Sequence, residues 1–269
     1  MSLPSPAPDR TAVVTGASSG IGKEIAGNLA RRGHGVTLVA RSVDKLEELK
    51  AELDAKGTRA EVLQADLANP GVRASLLDRI TELGLTPDIL VNNAGLSTLG
   101  PVAASDPIAE QQMIQVDVMC VADLTSRFLP HMVANRRGAI LNVASVGAFQ
   151  PVPGQAGYGA CKAFVLSYTE GVHGELNGTG VSISVLCPGP VDTGFGERAG
   201  FSKEDAEKAL PKVMWLTAER VAEIGIDALD KGKVISIPGR ANHIAARTAY
   251  YLPNRLLVPI LAKQHPGLR

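Results

Sequence analysis

The chain has 269 residues, 45% of them hydrophobic, which is enough for one sizeable core. Lys+Arg 27 balance Asp+Glu 27, so no global field draws the chain to nucleic acid, and only 4% aromatic content argues against an all-β domain of aromatic-rich strands. Cys120, Cys161 and Cys187 are scattered and form no C-x-x-C pair, which argues against a disulfide framework or a metal site and fits a reducing, cytoplasmic setting. Residues 1–9 are rich in Pro and Ser, with neither a basic start nor an apolar stretch, and read as a flexible N-terminal tail and not a signal peptide. Residues 11–15 (TAVVT) predict a strand. They lead into Gly16-Ala17-Ser18-Ser19-Gly20-Ile21-Gly22, after which Ile25, Ala26, Leu29 and Ala30 recur at helical spacing. A second strand is expected at 36–40, then a helix with Ser42 as N-cap and Leu46, Leu49 and Leu53 on one face. Strands at 59–64, 88–91, 139–143 and 181–186 alternate with helices at 70–83, 110–133 and 155–176. Continuous apolar strands alternating with helices predict an α/β fold, a Rossmann-like doubly wound parallel sheet forming a single domain over 10–238. Residues 188–212 read as a long loop with one short helix, and 239–269 as a C-terminal extension of Leu, Pro and basic residues. No run approaches the roughly 18 apolar residues of a membrane span.

A glycine turn between a first strand and a first helix brings backbone N–H groups and the positive helix end to where a pyrophosphate can approach. The spacing Gly16, Gly20, Gly22 differs from the common G-x-G-x-x-G. Thr15-Gly16-Ala17-Ser18-Ser19-Gly20-Ile21-Gly22 resembles the T-G-x-x-x-G-x-G turn of the short-chain dehydrogenase/reductase family. Asn92-Asn93-Ala94-Gly95 looks like that family's N-N-A-G, Tyr158-Gly159-Ala160-Cys161-Lys162 like its Y-x-x-x-K, and Pro188-Gly189 like its P-G, all in the expected order. Ser145 lies 13 residues before Tyr158, the spacing the family uses. The resemblance covers about residues 10–238, and Phe164-Val165-Leu166-Ser167 with the tail after Pro238-Gly239-Arg240 looks like the family's ketoacyl-reductase-like bacterial branch.

The resemblance implies a dinucleotide held by Gly16, Ser18, Ser19, Gly20, Ile21 and Gly22, and by the Pro188-Gly189 loop. It also implies that Asp66 bonds the adenine amine, that Asn93, Ala94 and Gly95 pack along the adenosine, and that Val191 and Thr193 hold the nicotinamide carboxamide. An acid at the end of the second strand would bond the ribose 2′-OH of NAD; Ala40 leaves that place empty, and Arg41 with the Ser42 hydroxyl suits a 2′-phosphate. NADP (NADPH) is therefore the expected cofactor, with no metal.

Tyr158 and Lys162, four apart, share one helix face, where the lysine ammonium favours the phenolate and lets Tyr158 exchange a proton with a carbonyl oxygen. Ser145 offers its hydroxyl to that same oxygen, and by resemblance Lys162 also bonds the nicotinamide ribose. The family usually has Asn in a V-N-V stretch where this chain reads Val116-Asp117-Val118. Asp117 either lends only its main-chain carbonyl, which in the family holds a water joined to the lysine, or pairs its carboxylate with Lys162 and alters the proton relay.

The expected activity is hydride transfer between NADPH and a small apolar carbonyl or alcohol, such as a hydrophobic ketone, a 3-oxoacyl thioester or a steroid-like ketone. Its walls are expected at 146–152, 195–201 and 213–216, including Phe149, Phe195, Phe201, Met214 and Trp215. A catalytically silent NADP-binding sensor is the rival reading, with Asp117 as its mark; intact Ser145, Tyr158 and Lys162 argue against it. His34, His131, His173, His243 and His265 fall in no ligand spacing and read as surface or core-edge residues. The tail sets Tyr250-Tyr251-Leu252 and the run 256–261 beside Arg247, Arg255 and Lys263, a pattern compatible with a peripheral membrane or partner helix. Pro253 and Pro259 break long helices and favour lid or subunit packing instead. By resemblance the chain is a homodimer or homotetramer, and no nucleic-acid partner is expected.

Overall fold

The computed structural model of the protein describes residues 3–200, 204 and 210–268. Among them, seven strands form one sheet: β1 (Arg10–Thr15), β2 (Gly35–Ala40), β3 (Ala60–Gln64), β4 (Thr86–Asn92), β5 (Gly138–Val143), β6 (Val181–Leu186) and β7 (Ile235–Ser236). Their order is β3-β2-β1-β4-β5-β6-β7, with every neighbouring pair parallel. The expected Rossmann-like doubly wound sheet is the fold observed. Chain order reverses between β1 and β4, and the carboxyl ends of the strands there open the crevice where ligands of such sheets bind.

The strands are apolar throughout because both faces are covered, and successive side chains serve opposite cores. Ala12 and Val14 of β1 face one way with Leu38, Ile89 and Val91, while Val13 faces the other with Val39 and Leu90. The first face is covered by α1 (Gly20–Arg31) and α2 (Val43–Asp54), through Ile25, Leu29, Leu46 and Leu49. The second is covered by α3 (Pro70–Glu82) and by a helical rod made of α4 (Pro107–Ile114), a π-helical turn (Gln115–Met119) and α5 (Cys120–Ala134). Leu76, Ile80, Leu124 and Phe128 fill that side, each side chain fully buried contributing about 1.5–3 kcal/mol. Next along the chain, α6 (Ala156–Glu175) lies against β6.

The observed rod starts earlier than the expected 110, because Asp106 caps it, its carboxylate accepting the Ile108 N–H at 2.9 Å, with Pro107 in the first turn. Periodicity assigns no strand or helix to residues 213–238. The structure has α7 (Phe195–Arg198) in the long loop, then α8 (Ala218–Asp230), which completes the first core with Val221, Ile226 and Leu229, and then β7. Thr217 caps α8 by accepting the Arg220 N–H at 3.2 Å. The C-terminal extension forms α9 (Arg240–Tyr251) and α10 (Asn254–Gln264), separated at Pro253.

Residues 3–9, expected to be a loose tail, are tied to the body instead. The Leu3 N–H donates to Asp230 Oδ1 at 2.8 Å, Arg137 donates to the Ser5 carbonyl, and Pro4 is buried. Arg137 is itself held by Asp88 at 2.9 Å, so the segment is clasped at the amino end of the sheet. Among the described residues, no helix is long and apolar enough to cross a membrane.

Candidate active site

The site begins where β1 ends. Thr15 donates its hydroxyl to the Val91 carbonyl at 3.0 Å and accepts the N–H groups of Asn93 and Ala94 at 2.9 and 3.1 Å, knotting the ends of β1 and β4 together. Asn93 in turn donates its amide to the Thr15 carbonyl at 2.9 Å, so its side chain fastens the glycine turn. A Cβ on Gly22 would stand 2.3 Å from the Gly16 carbonyl oxygen and 2.4 Å from Asn93 Nδ2, and Gly16 itself has φ +66°. The turn is thus closed so tightly that only glycine fits, leaving the N-terminus of α1 facing open space.

That space is a cleft of about 690 Å³. Every residue expected to contact the dinucleotide lines it, except Gly22, which lies beneath the turn. At one end stand Arg41 and, unanticipated, Lys45 from the first turn of α2; neither has an ion-pair partner among the described residues. Ser42 caps α2 by position only, since its hydroxyl makes no capping bond. Asp66 is exposed, and its carboxylate accepts the Ala68 N–H at 3.1 Å.

In the middle of the cleft lie Ser145, Tyr158 and Lys162. Ser145 follows β5, where its Oγ accepts the Gly147 N–H at 3.1 Å and faces the Tyr158 hydroxyl. Tyr158 and Lys162 occupy successive turns of α6, with Nζ 5.6 Å from the ring centre. Burial pushes the Tyr158 phenol above its ordinary range, against the pull of the Lys162 ammonium and the Ser145 hydroxyl. Lys162 is only 5% exposed and donates to the Val143 carbonyl at 3.3 Å.

Asp117 lies behind this group, outside the cleft, with its carboxylate paired to Lys162. Its Oδ2 is 2.9 Å from Lys162 Nζ, and its Oδ1 accepts the Leu96 N–H at 2.7 Å. Burial, complete for this residue, raises the Asp117 carboxyl. It also works against the Lys162 charge, but the facing carboxylate outweighs it and Lys162 ends above its usual value.

The other end of the cleft sets apolar side chains beside Glu197 and Arg198. Phe195, Met214 and Trp215 line it as expected, and the Phe195 ring lies 6.0 Å from that of Tyr158. Phe149 does not; its ring turns away to Tyr250 at 6.4 Å, because its 3-10 turn is packed under α9. Val213 points to solvent, and Phe201 lies outside the described residues. Sequence reasoning missed Leu261 and His265, which reach the cleft from the C-terminal extension. His265 Nδ1 accepts the Gly267 N–H at 3.2 Å, so Nε2 carries the proton and donates to Gln155 Oε1 at 3.3 Å. Gln155 passes on to Ser97 Oγ at 2.7 Å. The packing needs Gly154, since a Cβ there would meet the His265 ring at 2.3 Å.

The three cysteines are buried, with thiols pushed up by burial to about 12 for Cys120 and Cys187 and about 11 for Cys161. They are inert packing groups. Among the described residues, no group of three His, Cys, Asp or Glu side chains is placed to hold a metal ion.

The family model of short chain dehydrogenases matches residues 10–203. An uncharacterized oxidoreductase of Staphylococcus epidermidis is 31% identical over 229 residues, covering 85% of this chain and 94% of that protein. The very-long-chain 3-oxoacyl-CoA reductase of Anas platyrhynchos is 34% identical over 228 residues, 82% of this chain and 70% of the relative. Among solved structures, the short-chain dehydrogenase from Sphingobium yanoikuyae in complex with NADPH superposes with a TM-score of 0.79 at 32% identity, over 96% of this chain and 97% of that one.

Proposed function

The chain belongs to the short chain dehydrogenase family, and from that premise we propose that this oxidoreductase uses NADPH to reduce an apolar ketone or 3-oxoacyl group to a secondary alcohol. One observation carries the reading: Ser145 and Tyr158 line a single cleft together, with Lys162 a turn away on the helix of Tyr158, between the Arg41 and Lys45 side and the side of Phe195, Met214 and Trp215.

The glycine turn fits a dinucleotide, because its close approach leaves no Cβ between the α1 N-terminus and a pyrophosphate. Arg41, Lys45 and the Ser42 hydroxyl, at the end of β2 and the start of α2, suit a 2′-phosphate, with no carboxylate at Ala40 to repel it. When bound, the dinucleotide supplies a hydride. The protein's own work is on the oxygen of the carbonyl. Ser145 and Tyr158 both donate hydrogen bonds to it, favouring the charge that develops there, and Tyr158 passes its proton to it. Phe195, Met214, Trp215 and Leu261 exclude water around the carbon chain. The similarity to a protein named as a 3-oxoacyl-CoA reductase supports this class of substrate.

A panel of apolar ketones and 3-oxoacyl thioesters, followed by loss of reduced-cofactor absorbance with NADPH and NADH, tests the proposal. Turnover with NADPH supports it; cofactor binding with no turnover on any member overturns it and leaves the silent-sensor reading. Arg41→Ala should raise the KM for NADPH by about tenfold or more while leaving NADH nearly unchanged, since a charged hydrogen bond contributes about 1.5–3 kcal/mol. An equal loss with both cofactors would remove Arg41 from the 2′-phosphate site.

A further inference from the structure

Resting on the reduction reading above, we propose that the Asp117 carboxylate is a positioning residue that neutralises Lys162 and so holds Tyr158 in its proton-donating phenol form, poising the site for carbonyl reduction over alcohol oxidation.

Asp117 is placed for this by the local structure. It sits in the π-helical turn Gln115–Met119, which interrupts the helical rod at the level of the site. Its two oxygens are divided between Lys162 Nζ, at 2.9 Å, and the Leu96 N–H, at 2.7 Å, which fixes the carboxylate's rotation. Gly95 makes room for the pair: a Cβ there would stand 3.1 Å from Oδ2 and 3.3 Å from Nζ. With 0% and 5% exposure, the two charges are shielded from solvent screening and answer chiefly to each other.

The other groups near this centre are three neutral thiols, one ion pair and one carboxylate, that of Glu110. Cys161 on α6, Cys187 after β6 and Cys120 at the start of α5 are thiols held neutral by burial. Arg73 and Asp123, further along, are paired with each other at 3.0 Å, and Glu110 on α4 accepts the Thr98 hydroxyl at 2.5 Å. An unpaired lysine 5.6 Å from the Tyr158 ring centre would pull the phenol strongly toward phenolate; a lysine backed by a carboxylate at 2.9 Å acts as a dipole and pulls far less.

The consequence is directional. Reduction breaks the Tyr158 O–H bond toward the substrate oxygen, and solvent then returns a proton to the phenolate. Oxidation must begin from the phenolate, which takes the alcohol proton. Keeping the phenol protonated favours the first and pushes the second to higher pH.

The test titrates tyrosinate absorbance in the protein without substrate, each protein read against its own Tyr158→Phe counterpart so that the difference reports Tyr158 alone. In the unsubstituted chain Tyr158 should ionise above the ordinary tyrosine value of ~10, and in Asp117→Asn the ionisation should fall by about one to three pH units. The pH limb for alcohol oxidation should move down with it. An unchanged ionisation in Asp117→Asn overturns the proposal. So does ionisation near neutral pH in the unsubstituted chain, a reading that stands even if the variant fails to fold. The titration needs neither cofactor nor ketone, so its outcome is separate from failure of the reductase reading, which would appear only as absent turnover.

Discussion

At the scale of single residues, the proposed chemistry rests on one hydroxyl. Tyr158→Phe removes it while keeping the ring and its contact with Phe195, so fold and NADPH binding should survive. Turnover should fall by about 10²-fold for loss of the acid, and by ~10³-fold when loss of the hydrogen bond to the developing oxyanion is included. Stopped turnover with unchanged NADPH fluorescence is the expected pair of readings; a Phe variant keeping most of its rate would remove Tyr158 from the proton path. Ser145, Tyr158 and Lys162 were legible because residue type, spacing and predicted elements coincide. Lys45 was not. A lysine in the first turn of a helix is usually a solvated surface group, and only the path of α2 past the end of β2 brings it beside Arg41.

At the scale of elements, the C-terminal extension changes meaning most between sequence and structure. Its exposed apolar groups, among them Tyr251 and Ile260, lie on the outer side, while Leu257 packs inward and Leu261 and His265 reach the cleft. Asn242 of α9 is buried, and its amide donates to the Met214 and Pro238 carbonyls at 2.9 Å each, so the same extension braces the loop that carries the apolar wall. His265→Ala removes the link to Gln155. Losing a neutral hydrogen bond of about 1 kcal/mol should raise the KM for the apolar substrate about fivefold, with the NADPH KM unchanged. Equal values for both proteins would show that the last turn plays no part in substrate binding.

At the scale of the whole molecule, the site depends on a sheet held between two cores. Phe128, 1% exposed beneath β4 and β5, is far from the chemistry, and Phe128→Ala should cost about 3–5 kcal/mol of stability through lost burial and the cavity left behind. Against a typical 5–15 kcal/mol this leaves a folded but weakened enzyme, visible as a lower urea midpoint with little change in KM. A second network crosses the sheet unseen by periodicity: Asn92 donates to Asn142 Oδ1 at 2.9 Å, and Asn142 donates to Thr169 Oγ1 at 2.9 Å, a buried chain joining β4, β5 and α6 behind the site. The sequence by itself determined the strand and helix order, the glycine turn and the Ser145, Tyr158 and Lys162 set, because these follow from local periodicity and from chemistry that tolerates few residue types. Tertiary structure alone decided that Asp117 spends its carboxylate on Lys162, that residues 3–9 are clasped, that Phe149 turns away, and that His265 returns to the cleft from more than a hundred residues beyond Gln155. Each is a contact between distant segments, set by how helices pack across the sheet, and no local pattern encodes which side chain will fill a space that only the packed fold creates.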